Sequence, residues 1–291
     1  MERYVRIVGI AWFVFLPPIS LAETAPGDDS PVMRLLQTPE KTRFGLFGEK
    51  SDSPLPTLFV FATSVDDMRK LRVYSETGRL LAKQGWLYVT MDPPCHGYDH
   101  RQGEPANLEG WAHRVKSGED LTKPFVSRCV EVLNYLVEQG YTDPKQVATC
   151  GTSRGGFCAL HFAAADSRIR AVTCISPVTD LLALREFKGV SAEQVRSQNV
   201  FVLAKNLADT AVWLSIGNND QRVGTQHCRK AADCFQSTKR RQRAGIRAAP
   251  VEILVKPTNG HQPIENAYRL AAQFVLDRLA SNEENKPSPL R

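Results

Sequence analysis

Short apolar runs and longer amphipathic stretches alternate along most of this chain. Leu55 to Phe61, Trp86 to Met91, Val147 to Cys150, Ile169 to Ile175, Ala211 to Ile216 and Val251 to Val255 are compact and rich in β-branched or aromatic residues. Runs of that length, bounded by Pro, Gly or Asp, read as buried strands. Thr42 to Gly48 predicts an earlier strand. Between the strands, Ser75 to Gln84, Thr122 to Gln139, the Ala-rich stretch after Gly156, Thr225 to Arg243 and Ile264 to Leu279 carry the spacing of helices. Val178 to Leu207 reads as helical and more polar, an insertion the size of a small lid. Strands that alternate with helices predict an α/β fold, with a mostly parallel sheet covered on both faces. No internal repeat is present.

The ends of the chain differ from this body. Arg3 and Arg6 precede an apolar run from Ile7 to Leu16, and Ser20-Leu21-Ala22 puts small residues before a cleavage point. Residues 1–22 are therefore predicted to be a signal peptide, and the protein to be exported, to the periplasm or beyond. The run is short for a membrane span and Pro17-Pro18 interrupts it, so no stable membrane insertion is expected after cleavage. Residues 23–39 are expected to form an exposed leader, residues 40–280 the folded domain, with 178–207 as the lid, and residues 281–291 a disordered tail.

Composition narrows the function classes. The net charge of +6 over 291 residues is mild and not concentrated as a nucleic-acid binder requires. The densest basic run, Lys239-Arg240-Arg241-Gln242-Arg243 with Arg247 beyond, reads as a solvated helix end, with a patch for an acidic polymer or surface as the alternative. The cysteines number seven, and Cys-x-x-Cys spacing is absent, so neither a metal site nor a disulfide framework is predicted. Cys150, Cys158 and Cys174 lie in apolar segments and read as core thiols. Cys228 and Cys234 fall on different faces of one predicted helix. Oligomeric state is not written in any of these patterns.

The chemistry lies where an apolar strand runs into Gly151-Thr152-Ser153-Arg154-Gly155-Gly156 and a helix follows. A serine between two glycines on a strand-to-helix turn can hold its hydroxyl clear of the sheet. The glycines allow the strand and helix to approach closely. Backbone N–H groups at the helix start can hold an oxyanion. Functional groups of open α/β sheets gather at the carboxyl ends of strands. Asp220 follows the Ala211 strand and His261 follows the Val251 strand. Serine, aspartate and histidine in that order suit a nucleophile, a tautomer-fixing acid and a base. The bland alternatives are a helix cap for Asp220 and a surface loop for His261. His96 is a second histidine in a strand-end loop, readable as a rival base or as loop packing. Its pairing with His100 lacks the further ligands a metal needs. Arg154 could line the site and meet an anionic group, or face a helix carboxylate.

These motifs together resemble the alpha/beta-hydrolase superfamily over roughly residues 40 to 280. Within it the chain is most similar to the branch of prolyl-oligopeptidase-like and dienelactone-hydrolase-like proteins. Gly151-Thr152-Ser153-Arg154-Gly155-Gly156 matches the elbow, Gly217-Asn218-Asn219-Asp220-Gln221-Arg222-Val223 the acid loop, and Gly260-His261 the histidine loop. Asp92-Pro93-Pro94-Cys95-His96-Gly97 resembles the loop that commonly follows an inner strand. The resemblance implies catalytic residues Ser153, Asp220 and His261, with oxyanion N–H groups from Arg154 and from the loop at Thr63. It implies no cofactor and no metal, and a small ester or short peptide as substrate. The expected activity is that of a carboxylesterase working through an acyl-enzyme. A serine peptidase of short peptides is the nearest alternative, although these 291 residues leave no room for the propeller such peptidases usually carry. Dienelactone enzymes typically use a cysteine nucleophile, so their reaction is not implied. One departure stands out. Ala62-Thr63-Ser64 occupies the place where such hydrolases usually carry His-Gly. A lost oxyanion donor would cost about 10²–10³ in rate. This departure is what favours a third reading, a non-catalytic binding protein that keeps the fold.

Overall fold

A computed structural model of the chain describes residues 33–242 and 249–280. Eight strands form one sheet: β1 (Arg34–Gln37), β2 (Arg43–Phe47), β3 (Leu55–Phe61), β4 (Leu87–Thr90), β5 (Thr142–Thr152), β6 (Ile169–Ile175), β7 (Ala211–Gly217) and β8 (Val251–Lys256). Their spatial order is β1-β2-β4-β3-β5-β6-β7-β8. β1 and β2 form an antiparallel hairpin, and β2 lies antiparallel to β4. Every other neighbouring pair is parallel. This is the mostly parallel α/β sheet that the alternation of runs predicts, in the alpha/beta-hydrolase arrangement that the resemblance of the motifs implies.

The helices are α1 (Val65–Lys70), α2 (Glu76–Ala82), α3 (Asn107–Lys116), α4 (Thr122–Glu138), α5 (Arg154–Ala165), α6 (Ala192–Val195), α7 (Thr225–Gln242) and α8 (Ala267–Ala280). Two cores follow from the two sheet faces. On one face, side chains of α3, α4, α5 and α7 bury against Phe59, Phe61, Val89 and Val172. On the other, α1, α2 and α8 cover Leu58, Val60, Tyr88 and Trp213. The central strands are apolar on both sides because both sides are covered. An edge-on aromatic cluster ties the end of β3 to the helices behind it. Phe61 meets Phe125 at 5.3 Å and Phe59 meets Phe162 at 5.1 Å between ring centroids. Such contacts add about 0.5–1.5 kcal/mol each beyond area burial. The end of β3, where the Ala62-Thr63-Ser64 loop begins, is thereby fixed against α5.

Several expectations change. Residues 34–37 of the predicted leader form edge strand β1, paired residue by residue with β2. The predicted helical insertion of 178–207 is instead a chain of short 3₁₀ turns, Leu181–Ala183, Arg185–Phe187, Arg196–Gln198 and Val200–Lys205, around the four-residue α6. Helices α1 and α3 lie in stretches with no predicted element. Lys239 is not part of a solvated helix end: it is buried on α7, and its Nζ donates to the carbonyls of Thr210 and Ala249. Burial pushes its amine down to about 8. The signal peptide of 1–22, residues 23–32 of the leader, Arg243 and Arg247 of the basic run, and the tail of 281–291 lie outside the described residues. Among the described residues no helix is long and apolar enough to cross a membrane.

Candidate active site

Ser153 stands between β5 and α5 with φ 55° and ψ −118°. Left-handed backbone is costly for a residue with a Cβ and persists only where its surroundings enforce it. The enforcement is visible on both sides. A Cβ at Gly151 would lie 2.0 Å from the Gly155 carbonyl oxygen, and one at Gly155 would lie 1.9 Å from that of Phe61. The Ser153 N–H donates to the Ile175 carbonyl, and the Ser153 carbonyl accepts from Gly156 and Val178. The loop after β6 thus locks the turn. Ser153 is the residue preceding α5, yet its hydroxyl makes no capping bond to that helix.

That hydroxyl faces His261 instead, at 3.0 Å from Nε2. The Nδ1 of the same ring lies 2.8 Å from Asp220 Oδ2. Since Nδ1–H donates to the carboxylate, Nε2 carries the lone pair that can accept from Ser153. Asp220 is buried, and its Oδ1 accepts the N–H groups of Arg222 and Val223. Burial raises its pKa, but the bond from His261, the imidazole charge and the two N–H donors outweigh this and hold it below the usual carboxylate range. The acid loop is itself braced: Thr225 Oγ1 accepts from the Asp220 N–H and donates to the Gly217 carbonyl. On the histidine loop, Thr258 Oγ1 donates to the Gly260 carbonyl and Ser176 Oγ donates to that of Gln262.

The surroundings of the serine are equally specific. Arg154 is the first residue of α5, where an N–H has no partner within the helix. The predicted second donor loop lies against this helix start, because Phe61 O and Ala62 N are the atoms a Gly155 side chain would strike. Ala62, Thr63 and Ser64 all avoid positive φ, so the missing glycine leaves no strained residue there. Thr63 and Ser64 hydroxyls both donate to Asp67 Oδ2, and Ser64 accepts from the Asp67 N–H as the cap of α1. Asp92 ties this region to the loop after β4. Its Oδ1 accepts from the Val65 N–H and its Oδ2 from the Tyr98 N–H. The sequence match marked Asp92 but not this bridging role.

His96 does not touch the triad. It is buried, its Nδ1–H donates to the Pro94 carbonyl at 2.7 Å, and its Nε2 accepts from Arg154 Nη1 at 2.7 Å. Burial, together with the nearby Arg154 charge, pushes it down to about 4 despite the Pro94 bond. It is a neutral loop-packing group, as one of the two sequence readings had it. Asn107 also receives Arg154 Nη1, at 3.2 Å, and has φ 59°. No sequence signal pointed to Asn107. A cleft of about 710 Å³ opens on the hairpin side, lined by Leu35, Arg43, Met91, Asp92, Tyr98 and Arg128 among others. No triad residue lines it, and the geometry of the triad outweighs its size as a guide to chemistry. Among the described residues no cluster of three His, Cys, Asp or Glu could hold a metal.

Residues 79–279, more than half of the chain, match the prolyl oligopeptidase family. The chain belongs to that family. As a family member it is a serine hydrolase of the alpha/beta-hydrolase superfamily. Solved structures share its fold at low identity. Acetyl xylan esterase 1 from Thermoanaerobacterium is 18% identical with a TM-score of 0.59, over 85% of this chain and 88% of that one. TT1662 from Thermus thermophilus is 16% identical with a TM-score of 0.63, over 85% of this chain and 98% of that one. A puromycin hydrolase is 19% identical with a TM-score of 0.62, over 90% of this chain but 41% of its own. The chain thus spans about two-fifths of that enzyme. No curated protein matches it by sequence.

Proposed function

We propose that this family member is a carboxylesterase that works through an acyl-enzyme on Ser153. The observation that carries this reading is the unbroken chain from Ser153 Oγ to His261 Nε2 and from His261 Nδ1 to Asp220, at 3.0 and 2.8 Å. In it, Ser153 Oγ attacks the ester carbonyl while its proton passes to His261 Nε2. Asp220 holds the ring in the accepting tautomer and stabilises the imidazolium. The carbonyl oxygen, now an anion, is met by the Arg154 N–H and by an N–H of the Thr63 loop. The intermediate collapses as His261 returns the proton to the departing alcohol. Water then repeats the sequence on the acyl-enzyme and releases the acid.

The ester reading draws support from the coverage of the acetyl xylan esterase, which this chain matches nearly end to end. The peptidase reading draws its own from the family description and the puromycin hydrolase. The convergence of the triad speaks against a purely binding role. Labelling with a fluorophosphonate, mapped by mass spectrometry beside Ser153→Ala, is the test of the nucleophile. A screen of matched ester and anilide substrates then separates the activities, and faster anilide cleavage would refute the esterase assignment. Export is proposed on Arg3, Arg6, the Ile7 to Leu16 run and Ser20-Leu21-Ala22 alone. Finding the intact amino terminus on cell-associated protein would overturn it.

A further inference from the structure

The side chain of Arg154 is held in place by two neutral groups. Its Nη1 donates to His96 Nε2 and to Asn107 Oδ1, at 2.7 and 3.2 Å. His96 cannot switch to a charged partner without losing its role as acceptor, and its Nδ1–H is already given to Pro94. Elsewhere Arg114 binds Asp99 and Glu104, Arg168 binds Asp166 and Arg222 binds Glu186, whereas half-buried Arg79 donates to Ser75 and covers the Phe47 ring. Among the described residues no carboxylate lies within ion-pair distance of Arg154. Glu186 is near enough to act on it only through space, and both its oxygens are engaged by Arg222.

The position of Arg154 bears on what it can bind. Arg154 directly follows Ser153, so its guanidinium is anchored at the carboxyl edge of the sheet. On one side stands the loop after β4, with His96 and Asn107. On the other stands the acid loop, whose Arg222 adjoins Asp220. Arg154 is half-buried, and burial lowers its pKa, the mark of a cation short of solvent and of counter-charge. A guanidinium has five N–H donors in a planar fork that fits a carboxylate. The cost of desolvating a cation is recovered when an anion docks.

We propose that Arg154 is the specificity residue of this site and that its substrate is an ester bearing a carboxylate close to the scissile bond. The proposal rests on the serine-hydrolase reading above and narrows the substrate class. The carboxylate can sit in the acyl or the leaving group, and the test distinguishes the two. Mono-p-nitrophenyl adipate is compared with p-nitrophenyl hexanoate, and 4-carboxyphenyl acetate with 4-carbamoylphenyl acetate. Each kcat/KM is divided by the spontaneous hydrolysis rate. Wild type is expected to favour the anionic member of one pair by about 10- to 100-fold, the range of a bond to a charged group. R154Q should bring that ratio to about one, and R154K should restore part of it. Because the readout is a ratio, any general loss of activity in the variants cancels. Adipate should also inhibit wild-type hydrolysis of the hexanoate where hexanoamide does not, which needs no variant. Ratios near one in both wild-type pairs with no inhibition by adipate, or a ratio unchanged in folded R154Q, overturn the proposal while leaving the hydrolase reading intact. Failure of Ser153 to take fluorophosphonate, with no turnover of any ester, sinks the hydrolase reading and this proposal with it.

Discussion

Acidification tests the buried histidines. His96 and His161 are each pushed from 6.5 down to about 4, chiefly by burial. His161 donates Nε2–H to the Gln198 carbonyl at 3.1 Å, and its ring packs on Phe157 at 4.4 Å between centroids. Below pH 6.5 the unfolded chain takes up a proton that each folded imidazole refuses until about pH 4. Stability therefore falls as pH drops through this window and levels off beneath it. At pH 4.5 the penalty from one such group is about 2.5 kcal/mol. His161→Gln removes the titrating ring and keeps an amide N–H able to reach Gln198. Urea unfolding of both proteins at pH 7.5 and pH 4.5 gives a difference of differences in which the lost Phe157 contact cancels. The variant is expected to lose about 2.5 kcal/mol less on acidification than wild type. If the two lose stability in parallel, His161 is charged in the folded protein and the burial argument is wrong.

The remaining expectations concern the site. Asp220→Asn keeps an oxygen for the Arg222 and Val223 N–H groups but turns an amide donor toward His261 and favours the wrong tautomer. It should lower kcat by about 10³–10⁴ with little change in melting temperature, and a drop below tenfold would contradict the assigned role. Ser153→Ala should abolish fluorophosphonate labelling, and steady-state assays should show kcat at its residual level, about 10⁶ below wild type. Gly155→Ala pushes a methyl into the Phe61 carbonyl and should cost about 1–3 kcal/mol, read as a lower urea midpoint. An unaltered midpoint would mean that the elbow can relax.

Much of the fold was legible because a buried strand in a two-sided layer is apolar at most of its positions. Ile169–Ile175 and Leu55–Phe61 show it, each with bounds matching its apolar run. The same rule cannot see β1. Arg34–Gln37 is four residues at a sheet edge, alternately half-buried and exposed, and is indistinguishable from leader until β2 is beside it. The 178–207 segment misled for a geometric reason. Leu181, Leu184 and Phe187 are buried at intervals of three, which suits a 3₁₀ turn as well as an α-helix. Helix α3 did carry a stripe, Leu108, Trp111, Ala112 and Val115, but its charged residues masked it. One of them, Arg114, is buried by ion pairs with Asp99 and Glu104 that no local pattern announces.

The site was legible as residues and illegible as contacts. Ser153, Asp220 and His261 follow strand ends, and topology alone brings such ends together. Arg154 could be named with two fates. Only the folded arrangement shows that, among the described residues, no carboxylate lies within ion-pair distance of it. Asn107 and the bridging carboxylate of Asp92 depend on loops whose paths are set by distant chain.

The seven free cysteines turn folding into a race. Six are buried, and all remain thiols. Burial pushes Cys129, Cys158 and Cys174 well above the ordinary thiol range and Cys228 up to about 12, so these buried thiols offer almost no thiolate to an oxidant. The nascent chain has no such shelter. Each cysteine is then an ordinary nucleophile, and any pairing that forms must break before the core can close. Packing is the antioxidant here, and wherever an oxidant meets the nascent chain, the speed of collapse sets how much of it escapes mispairing.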